Sequence, residues 1–369
     1  MIYLDHHAAA PTPEPVRRAM DAAAPAAWAN PSSTHAAGRA ARRLLEAARE
    51  DVAKAVGAAP ADLVLTSGGT AACNLGIRGI AAGCKRVLST EVEHPAVAES
   101  VRRLGDEGRE RIVIAVREGQ PPSGKELAPH LGPGTLVAVQ WVNHETGTVF
   151  PVHEYAEVCR ERQALLFVDA SQALGKLPID LGTLGADAVA LGAQKIGGPP
   201  GAGACWIRRG MDVLPVLVGG SQERGRWPGT PDTLSMVGFG AACRLTGKRL
   251  EDQSRVKALR DRLEASLLGL GGVLNGGCPR TGTVSNISFA GWEGPLLVAA
   301  LDLEGICVST GAACSSGMQE PSAIIRSMYP DEQWRAGSAV RISLGIETSE
   351  QDIETALLVF RRVLGRKLA

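Results

Sequence analysis

Seven short apolar runs alternate with helix-like segments over the first two thirds of the chain, and this alternation constrains the fold more than any other feature. Between the runs, segments such as 70–83 and 152–164 have the apolar periodicity of amphipathic helices. Short strands alternating with helices predict a largely parallel sheet covered on both faces, with ligands bound beyond the carboxyl ends of the strands. The runs lie at residues 62–66, 86–90, 111–116, 135–142, 164–169, 186–191 and 203–207.

The pattern changes after about residue 250. A long amphipathic segment at 252–270 is followed by two strand–helix pairs, which together predict a smaller α+β domain. We therefore expect a large domain formed by residues 14–250 and a small domain formed by residues 1–13 and 251–369.

Charge and hydropathy exclude several classes of partner. The 39 basic residues equal the 39 acidic ones, and no strongly charged field suggests nucleic acid or a membrane surface. No apolar stretch is long enough to cross a bilayer, and the opening residues lack the basic and apolar regions of a secretory signal. We expect a cytoplasmic protein without a nucleic-acid or membrane partner.

The eight cysteines are dispersed, with no CxxC pair and no Cys/His cluster of zinc-like spacing, so no metal site is predicted. We expect most of them to be small buried side chains. Cys314 differs, because it lies in a run of small residues and glycines without apolar periodicity. From the residues alone, an ordinary loop cysteine and a mobile reactive thiol are equally compatible with this setting.

Polar residues follow several predicted strands at the point where each strand ends. Residues 67–70 combine glycines with hydroxyls at a helix start, which is typical of a phosphate cradle and also of a simple helix cap. His94, Asp169 and Lys195 follow three other strands, and each alone has an ordinary structural interpretation. Together they match the needs of pyridoxal phosphate: a Schiff-base lysine, a carboxylate for the pyridine nitrogen, a flat side chain for the ring and a helix N-terminus for the phosphate.

At this point the chain resembles the NifS-like cysteine desulfurases, which are fold-type I pyridoxal phosphate enzymes related to class V aminotransferases. The resemblance runs almost from end to end and implies the fold-type I architecture, an α/β large domain with a mostly parallel seven-stranded sheet plus a smaller α+β domain. The motifs occur in family order: YLDHHAAAP, NPSSTHAAGRAA, LTSGGTAACN, EVEHPAV, VNHETG, FVDASQALGKLPID, GGSQERGRWPGT, VSTGAACSSGMQEPS and VRISLG.

The resemblance assigns the chemical roles to five residues. Lys195 would hold the cofactor covalently and then transfer a proton. Asp169 would pair with the pyridine nitrogen, His94 would stack on the ring, and Gln172 would hydrogen-bond the phenolic oxygen. Cys314 would be the nucleophile that takes the substrate sulfur as a persulfide.

The resemblance also assigns the binding roles. Gly69 and Thr70, with Thr230 from a second subunit, would bind the cofactor phosphate. Arg341 would hold the substrate α-carboxylate, a bidentate task that suits a guanidinium group, and Asn143 is placed with it at the substrate.

Four positions depart from the family pattern near the cofactor. The family's Ser-x-His before the lysine is replaced by Gly192 and Gln194, so the contacts of that motif fall to Gln194 alone. The second of two family asparagines is His144, which would then make the cofactor contact of that asparagine. Trp227 replaces an arginine, and Arg226 is one residue earlier. We expect a remodelled phosphate site with weaker cofactor affinity.

The implied reaction converts L-cysteine to L-alanine and passes the persulfide sulfur to an acceptor protein. The resemblance further implies a homodimer and a place in sulfur metabolism such as iron–sulfur cluster assembly. Three alternatives remain at this stage: a selenocysteine lyase, another enzyme of the class V aminotransferase type, and a degenerate relative without catalytic activity.

Overall fold

The computed structural model describes residues 1–311 and 320–365. The strands are β1 Ile2–Tyr3, β2 Leu63–Thr66, β3 Arg86–Thr90, β4 Glu110–Ile114, β5 Thr135–Gln140, β6 Leu165–Asp169, β7 Ala188–Gly192, β8 Gly203–Ile207, β9 Gly272–Asn275, β10 Val284–Phe289, β11 Ile306–Cys307 and β12 Ala339–Ser343. The α-helices are α1 Glu14–Ala27, α2 Ala36–Ala55, α3 Gly69–Ile80, α4 Pro95–Asp106, α5 Gly124–Leu127, α6 Val152–Glu161, α7 Leu181–Leu184, α8 Thr233–Arg244, α9 Thr246–Glu251, α10 Gln253–Leu268, α11 Gly294–Leu303, α12 Ala323–Met328, α13 Trp334–Ser338 and α14 Glu350–Gly365.

The central sheet has seven strands in the order β2-β8-β7-β6-β5-β3-β4. Only β8 runs against the others, because it pairs antiparallel with both β2 and β7 while the remaining pairs are parallel. Each of the seven apolar runs overlaps one of these strands, so the predicted mostly parallel sheet and α/β fold class are confirmed. Six strands therefore end at the same edge of the sheet.

Each face of the sheet packs against its own hydrophobic core, which explains the continuous apolar runs. Val137 and Val139 of β5 point into one core, whereas Leu136 and Ala138 of the same strand point into the other. All six residues of β5 are buried. Because successive side chains of a strand alternate between faces, a strand covered on both sides is predominantly apolar, as residues 136–139 of β5 are.

A second, antiparallel sheet is formed by β12, β10 and β9, with β10 in the middle. A separate core gathers apolar residues from these strands and from α10, α11 and α14, and it includes Leu4 near the start of the chain. β1 pairs with β11 in parallel, so the first residues are held beside the C-terminal third. The domain boundaries at residues 14 and 250 stay predictions.

None of the described helices combines the length and apolar character needed to span a membrane.

Candidate active site

The carboxyl edge of the central sheet brings together the polar residues that follow its strands. β2 leads into α3, β3 into the start of α4, β5 into the turn 143–148, β6 into Asp169 and β7 into a short 3₁₀ turn, Ala193–Ile196. Because all five of these strands point the same way, the segments that follow them meet at one edge.

The N-terminus of α3 presents free backbone N–H groups at this edge. Gly68, which precedes the helix, has φ of 138°, a conformation that residues with a Cβ rarely adopt, and no side chain caps the helix. The N–H groups in the first turn of a helix have no partner within the helix, and together with the helix dipole they favour an anion here. Gly69 is half-buried in the first turn and Thr70 is exposed beside it.

Lys195 is held by main-chain carbonyls of the N-terminal segment. Its Nζ donates to the carbonyl oxygens of His7 at 2.9 Å and Ala8 at 2.7 Å. The 3₁₀ turn that carries it ends at Gly197, where φ is 76° and a Cβ would come within 2.8 Å of the Pro11 carbonyl oxygen. The side chain therefore lies in a defined position rather than in an open turn.

His7 is itself fixed by contacts from the small antiparallel sheet. Its backbone N–H donates to Ser343 Oγ at 3.0 Å, and its Nε2 lies 3.0 Å from Thr283 Oγ1. Burial, with the nearby charges of Lys176 and Arg341, keeps the pKa of His7 well below its ordinary value. A neutral His7 thus links β10, β12 and Lys195.

Gln172 and Lys176 extend this network. Gln172 Nε2 donates to the His7 carbonyl oxygen at 2.9 Å, and its Oε1 accepts from Lys176 Nζ at 2.6 Å. Because an ammonium only donates and a carbonyl only accepts, these two contacts fix which end of the amide faces each partner. Burial, followed by repulsion from Lys195 and Arg249, lowers the pKa of Lys176 well below its ordinary value.

Asp169 and His94 lie at the ends of neighbouring segments of the edge. Asp169 is 8% exposed, and its Oδ1 accepts from the Ser171 N–H at 2.9 Å. His94 precedes α4, and its Nδ1 accepts from the Ala96 N–H at 3.1 Å. Burial lowers the pKa of His94, with Asp169 raising it and Lys195 lowering it. The imidazole is therefore neutral near pH 7.

His144 lies beside His94 and has a buried nitrogen without a partner. The ring centroids are 5.1 Å apart at an angle of 74°, an edge-to-face contact. Among the described residues, His144 Nδ1 is buried and makes no hydrogen bond. Burial and the neighbouring His94 keep the pKa of His144 well below its ordinary value. An unpaired buried nitrogen here fits a residue that contacts a bound group.

The side chain of Asn143 stabilises the turn 143–148 through its own hydrogen bonds. It is fully buried, its Oδ1 accepts from the N–H groups of Glu145 and Thr146, and its Nδ2 donates to the Val92 carbonyl oxygen. These contacts give Asn143 a structural role, and the predicted contact with substrate stays a prediction.

Arg341 is 2% exposed on β12 and already holds a carboxylate. Its Nη2 donates to Asp5 Oδ1 at 2.7 Å and its Nη1 to the His144 carbonyl oxygen at 3.1 Å, while its Nε is buried without a partner among the described residues. The Asp5 contact shows that the guanidinium is placed to bind a carboxylate.

Four further predicted residues make no side-chain contact described above or lie outside the described chain. Thr230 is exposed. Trp227 packs against the core under α3 and α4. Gln194 is half-buried, and its carbonyl oxygen accepts from the Ala10 N–H at 2.8 Å. Cys314 lies outside the described residues.

Sequence reasoning missed the residues that hold Lys195 in place. The acceptors are main-chain carbonyls of His7 and Ala8, which no side-chain pattern reveals. Asp5 and Lys176 stand inside motifs that the resemblance used only as markers of the family. The contact of Asp5 with Arg341 and that of Lys176 with Gln172 depend on tertiary packing.

Within the described residues, no group of three or more His, Cys, Asp or Glu side chains is placed to hold a metal ion.

A family model, a relative and two solved structures match this chain. The family model of class-V aminotransferases matches residues 2–356. An IscS-like cysteine desulfurase of Mycobacterium tuberculosis is 38% identical, over 99% of this chain and 97% of its own length. A NifS-like protein has the same fold with a TM-score of 0.92 and 28% identity, over 99% of both chains. The structure of SspA in complex with cysteine has a TM-score of 0.83 and 26% identity, over 95% of this chain and 100% of that one.

The family model spans residues 2–356, and the IscS-like relative is more than 30% identical over nearly the whole chain, which agrees with the sequence motifs. The resemblance to NifS-like cysteine desulfurases is thereby confirmed, and the chain belongs to the aminotransferase class-V family.

Proposed function

We infer that the chain is a pyridoxal phosphate-dependent cysteine desulfurase. The observation that carries this conclusion is the position of Lys195, which lies at the carboxyl edge of the sheet with Asp169, His94 and the open N-terminus of α3. The similarity to an IscS-like cysteine desulfurase supports the same activity.

The residues at this edge fit pyridoxal phosphate. The uncapped N-terminus of α3 suits the phosphate, and the buried carboxylate of Asp169 suits the pyridine nitrogen. The neutral imidazole of His94 suits the ring face, and the unpartnered Nδ1 of His144 marks a further contact. When bound, the cofactor supplies an electron sink that stabilises negative charge next to the substrate nitrogen.

Lys195 holds and moves a proton at its Nζ. The carbonyls of His7 and Ala8 accept hydrogen bonds from Nζ and orient the amine. An amine of this kind serves as a base when it is neutral and as an acid when it is protonated.

Arg341 orients the substrate through its α-carboxylate. Because Asp5 already occupies Nη2, the substrate carboxylate either displaces Asp5 or binds at the unpartnered Nε. Either arrangement places the substrate between β12 and the turn that carries His144.

Cys314 accepts the sulfur in this proposal. Its thiol and L-cysteine give L-alanine and a persulfide on Cys314, so the sulfur atom is transferred and no external oxidant or reductant is needed. SspA, solved in complex with cysteine, is a neighbour of this fold and supports cysteine as the substrate.

The assembly and the sulfur route are also part of the proposal. The exposed position of Thr230 supports a homodimer in which this residue binds the phosphate of the partner's site. The persulfide then passes to a sulfur-acceptor protein, as in iron–sulfur cluster assembly, and we propose that the protein works in the cytoplasm.

The test is to supply the holoenzyme with L-cysteine and a reductant and to measure alanine and sulfide together. We expect equal amounts of both products from the wild type and loss of both, by roughly 10³-fold or more, in Lys195→Ala and in Cys314→Ser. Lys248→Met, which removes an exposed lysine on α9, serves as the matched control and keeps full activity.

Other outcomes would point to the alternatives. Full activity in Cys314→Ser would favour another aminotransferase-type reaction. A much faster rate on selenocysteine than on cysteine would favour a selenocysteine lyase. A purified protein without bound cofactor, even after its addition, would favour a non-catalytic relative.

A further inference from the structure

A serine hydroxyl lies between two glycines at the carboxyl edge of the sheet. Ser171 follows β6, and a Cβ built on Gly69 would lie 3.0 Å from its Oγ. A Cβ built on Gly192 would lie 3.7 Å from the same Oγ and 3.7 Å from Ser171 Cβ. The side chain of Ser171 therefore occupies the space that the two glycines leave open at the start of α3.

The backbone of Ser171 is fixed, whereas its hydroxyl is available. The Ser171 N–H donates to Asp169 Oδ1 at 2.9 Å, which sets the turn after β6. In the described part of the chain, no hydrogen bond uses Ser171 Oγ, and the residue is half-buried. A hydroxyl held beside an uncapped helix N-terminus is suited to donate to an anion bound there.

The chain lacks the serine that the family motif has at position 192, where Gly192 stands. We propose that Ser171 replaces it, donating its Oγ hydrogen to the cofactor phosphate from the neighbouring strand β6 instead of β7. This inference rests on the proposed function, because it names a phosphate contact in the same site.

The geometry also explains the glycine at position 69. At 3.0 Å from Ser171 Oγ, a Cβ on residue 69 is closer than an ordinary van der Waals contact, so Gly69→Ala would push the hydroxyl aside. At 3.7 Å, a Cβ on residue 192 is in ordinary contact, so Gly192→Ser fits beside Ser171. A side chain at position 69 therefore displaces the Ser171 hydroxyl, whereas a serine at position 192 fits beside it.

The experiment measures the Kd of two cofactor forms, pyridoxal phosphate and pyridoxal, which lacks the phosphate. Both are measured by equilibrium dialysis, starting from the wild-type holoenzyme and from Ser171→Ala. We expect Ser171→Ala to weaken pyridoxal phosphate roughly tenfold or more, since a hydrogen bond to a charged group is lost, and to leave the Kd for pyridoxal unchanged. The control Ser266→Ala removes a serine hydroxyl from α10, where it donates to the Arg262 carbonyl oxygen, and should change neither value.

Two further variants test the same hydroxyl, and Gly69→Ala keeps the inference testable if Ser171→Ala folds poorly. Adding Gly192→Ser to Ser171→Ala should restore the affinity for pyridoxal phosphate, because a hydroxyl returns to the same space. Gly69→Ala should reproduce the selective loss without deleting the hydroxyl.

Equal weakening of pyridoxal and pyridoxal phosphate, or no weakening of either, would overturn the role of Ser171 and leave the proposed function intact. A wild-type protein that binds neither form would overturn the proposed function and this inference with it.

Discussion

The two halves of the candidate site differ in the kinds of chemical group that form them. The ring side, formed by His94, Asp169, Gln172 and Lys195, consists of buried or half-buried polar side chains held by hydrogen bonds. The phosphate side, formed by Gly69, Thr70, Ser171, Gly192 and Gln194, consists of glycines, hydroxyls, one amide and the start of α3.

Because of this difference, substitutions on the ring side should change the reaction rate, whereas substitutions on the phosphate side should change the affinity for the cofactor. On the ring side, burial and the charges of Asp169 and Lys195 shift the pKa of His94, so changes there alter proton transfer. Backbone N–H groups and hydroxyls on the phosphate side carry no titratable charge, so changes there alter how tightly a dianion binds. This explains how the phosphate side can depart from the family pattern while the ring side retains its reactive groups.

The largest effect that would sharpen this contrast is expected from Asp169→Asn. The variant keeps an oxygen for the Ser171 N–H and removes the charge that would pair with the pyridine nitrogen. Breaking a buried charged pair costs about 3–5 kcal/mol, so kcat should fall roughly 10²- to 10⁴-fold. Alanine production and the Kd for pyridoxal phosphate are measured together. A change in Kd without a change in kcat would contradict the assignment of the chemistry to the ring side.

The second prediction concerns the pH dependence of stability at Glu93, which neighbours the ring side. Glu93 precedes His94, is 5% exposed, and accepts from Thr90 Oγ1 at 2.5 Å, while its Oε2 has no partner in the described chain. Burial raises the pKa of Glu93 to about 8, and Asp169 adds to the rise. Between its ordinary pKa and about 8, the folded state binds the proton that the unfolded state has released.

Stability should therefore fall as the pH rises through this window, by on the order of a few kcal/mol. Glu93→Gln removes this contribution, so its free energy of unfolding should decline less between pH 5 and pH 8 than that of the wild type. Urea unfolding at the two pH values measures the difference. Ser171→Ala, on the phosphate side, should keep the wild-type slope, and an unchanged slope in Glu93→Gln would refute the assignment.

The smallest expected effect comes from restoring the family residues on the phosphate side. Gly192→Ser/Gln194→His adds a hydroxyl that fits beside Ser171 and an imidazole in place of an amide. We expect tighter binding of pyridoxal phosphate by up to about tenfold, limited because Ser171 already supplies one hydroxyl, with kcat unchanged. The Kd is measured by titration against the wild type, and no tightening would sink the idea that these departures weaken the site.

The sequence predicted much of the fold because the inner strands of the central sheet are covered on both faces. Such strands are continuously apolar along most of their length, as residues 136–139 of β5 and all of β7 are, and a run of this kind is visible without any structure. The pairing of β1 with β11 was not predicted, because strands of two residues leave no periodic signal.

The candidate site was predicted where side chains follow strands and missed where the partner is a backbone group. Asp169 and Lys195 were expected at one edge because parallel strands end together. The carbonyls of His7 and Ala8 were not, since every residue has such a group and only packing selects which ones meet Lys195.

The sequence by itself determined the mostly parallel sheet, the edge at which its polar residues collect and the resemblance to cysteine desulfurases. Those properties follow from apolar periodicity and from motifs that are local along the chain. Only the tertiary structure decided which groups approach one another from distant segments, such as Asp5 with Arg341 and Ser171 with the two glycines. Such contacts depend on how elements that are distant along the chain pack against one another, and no local pattern encodes them.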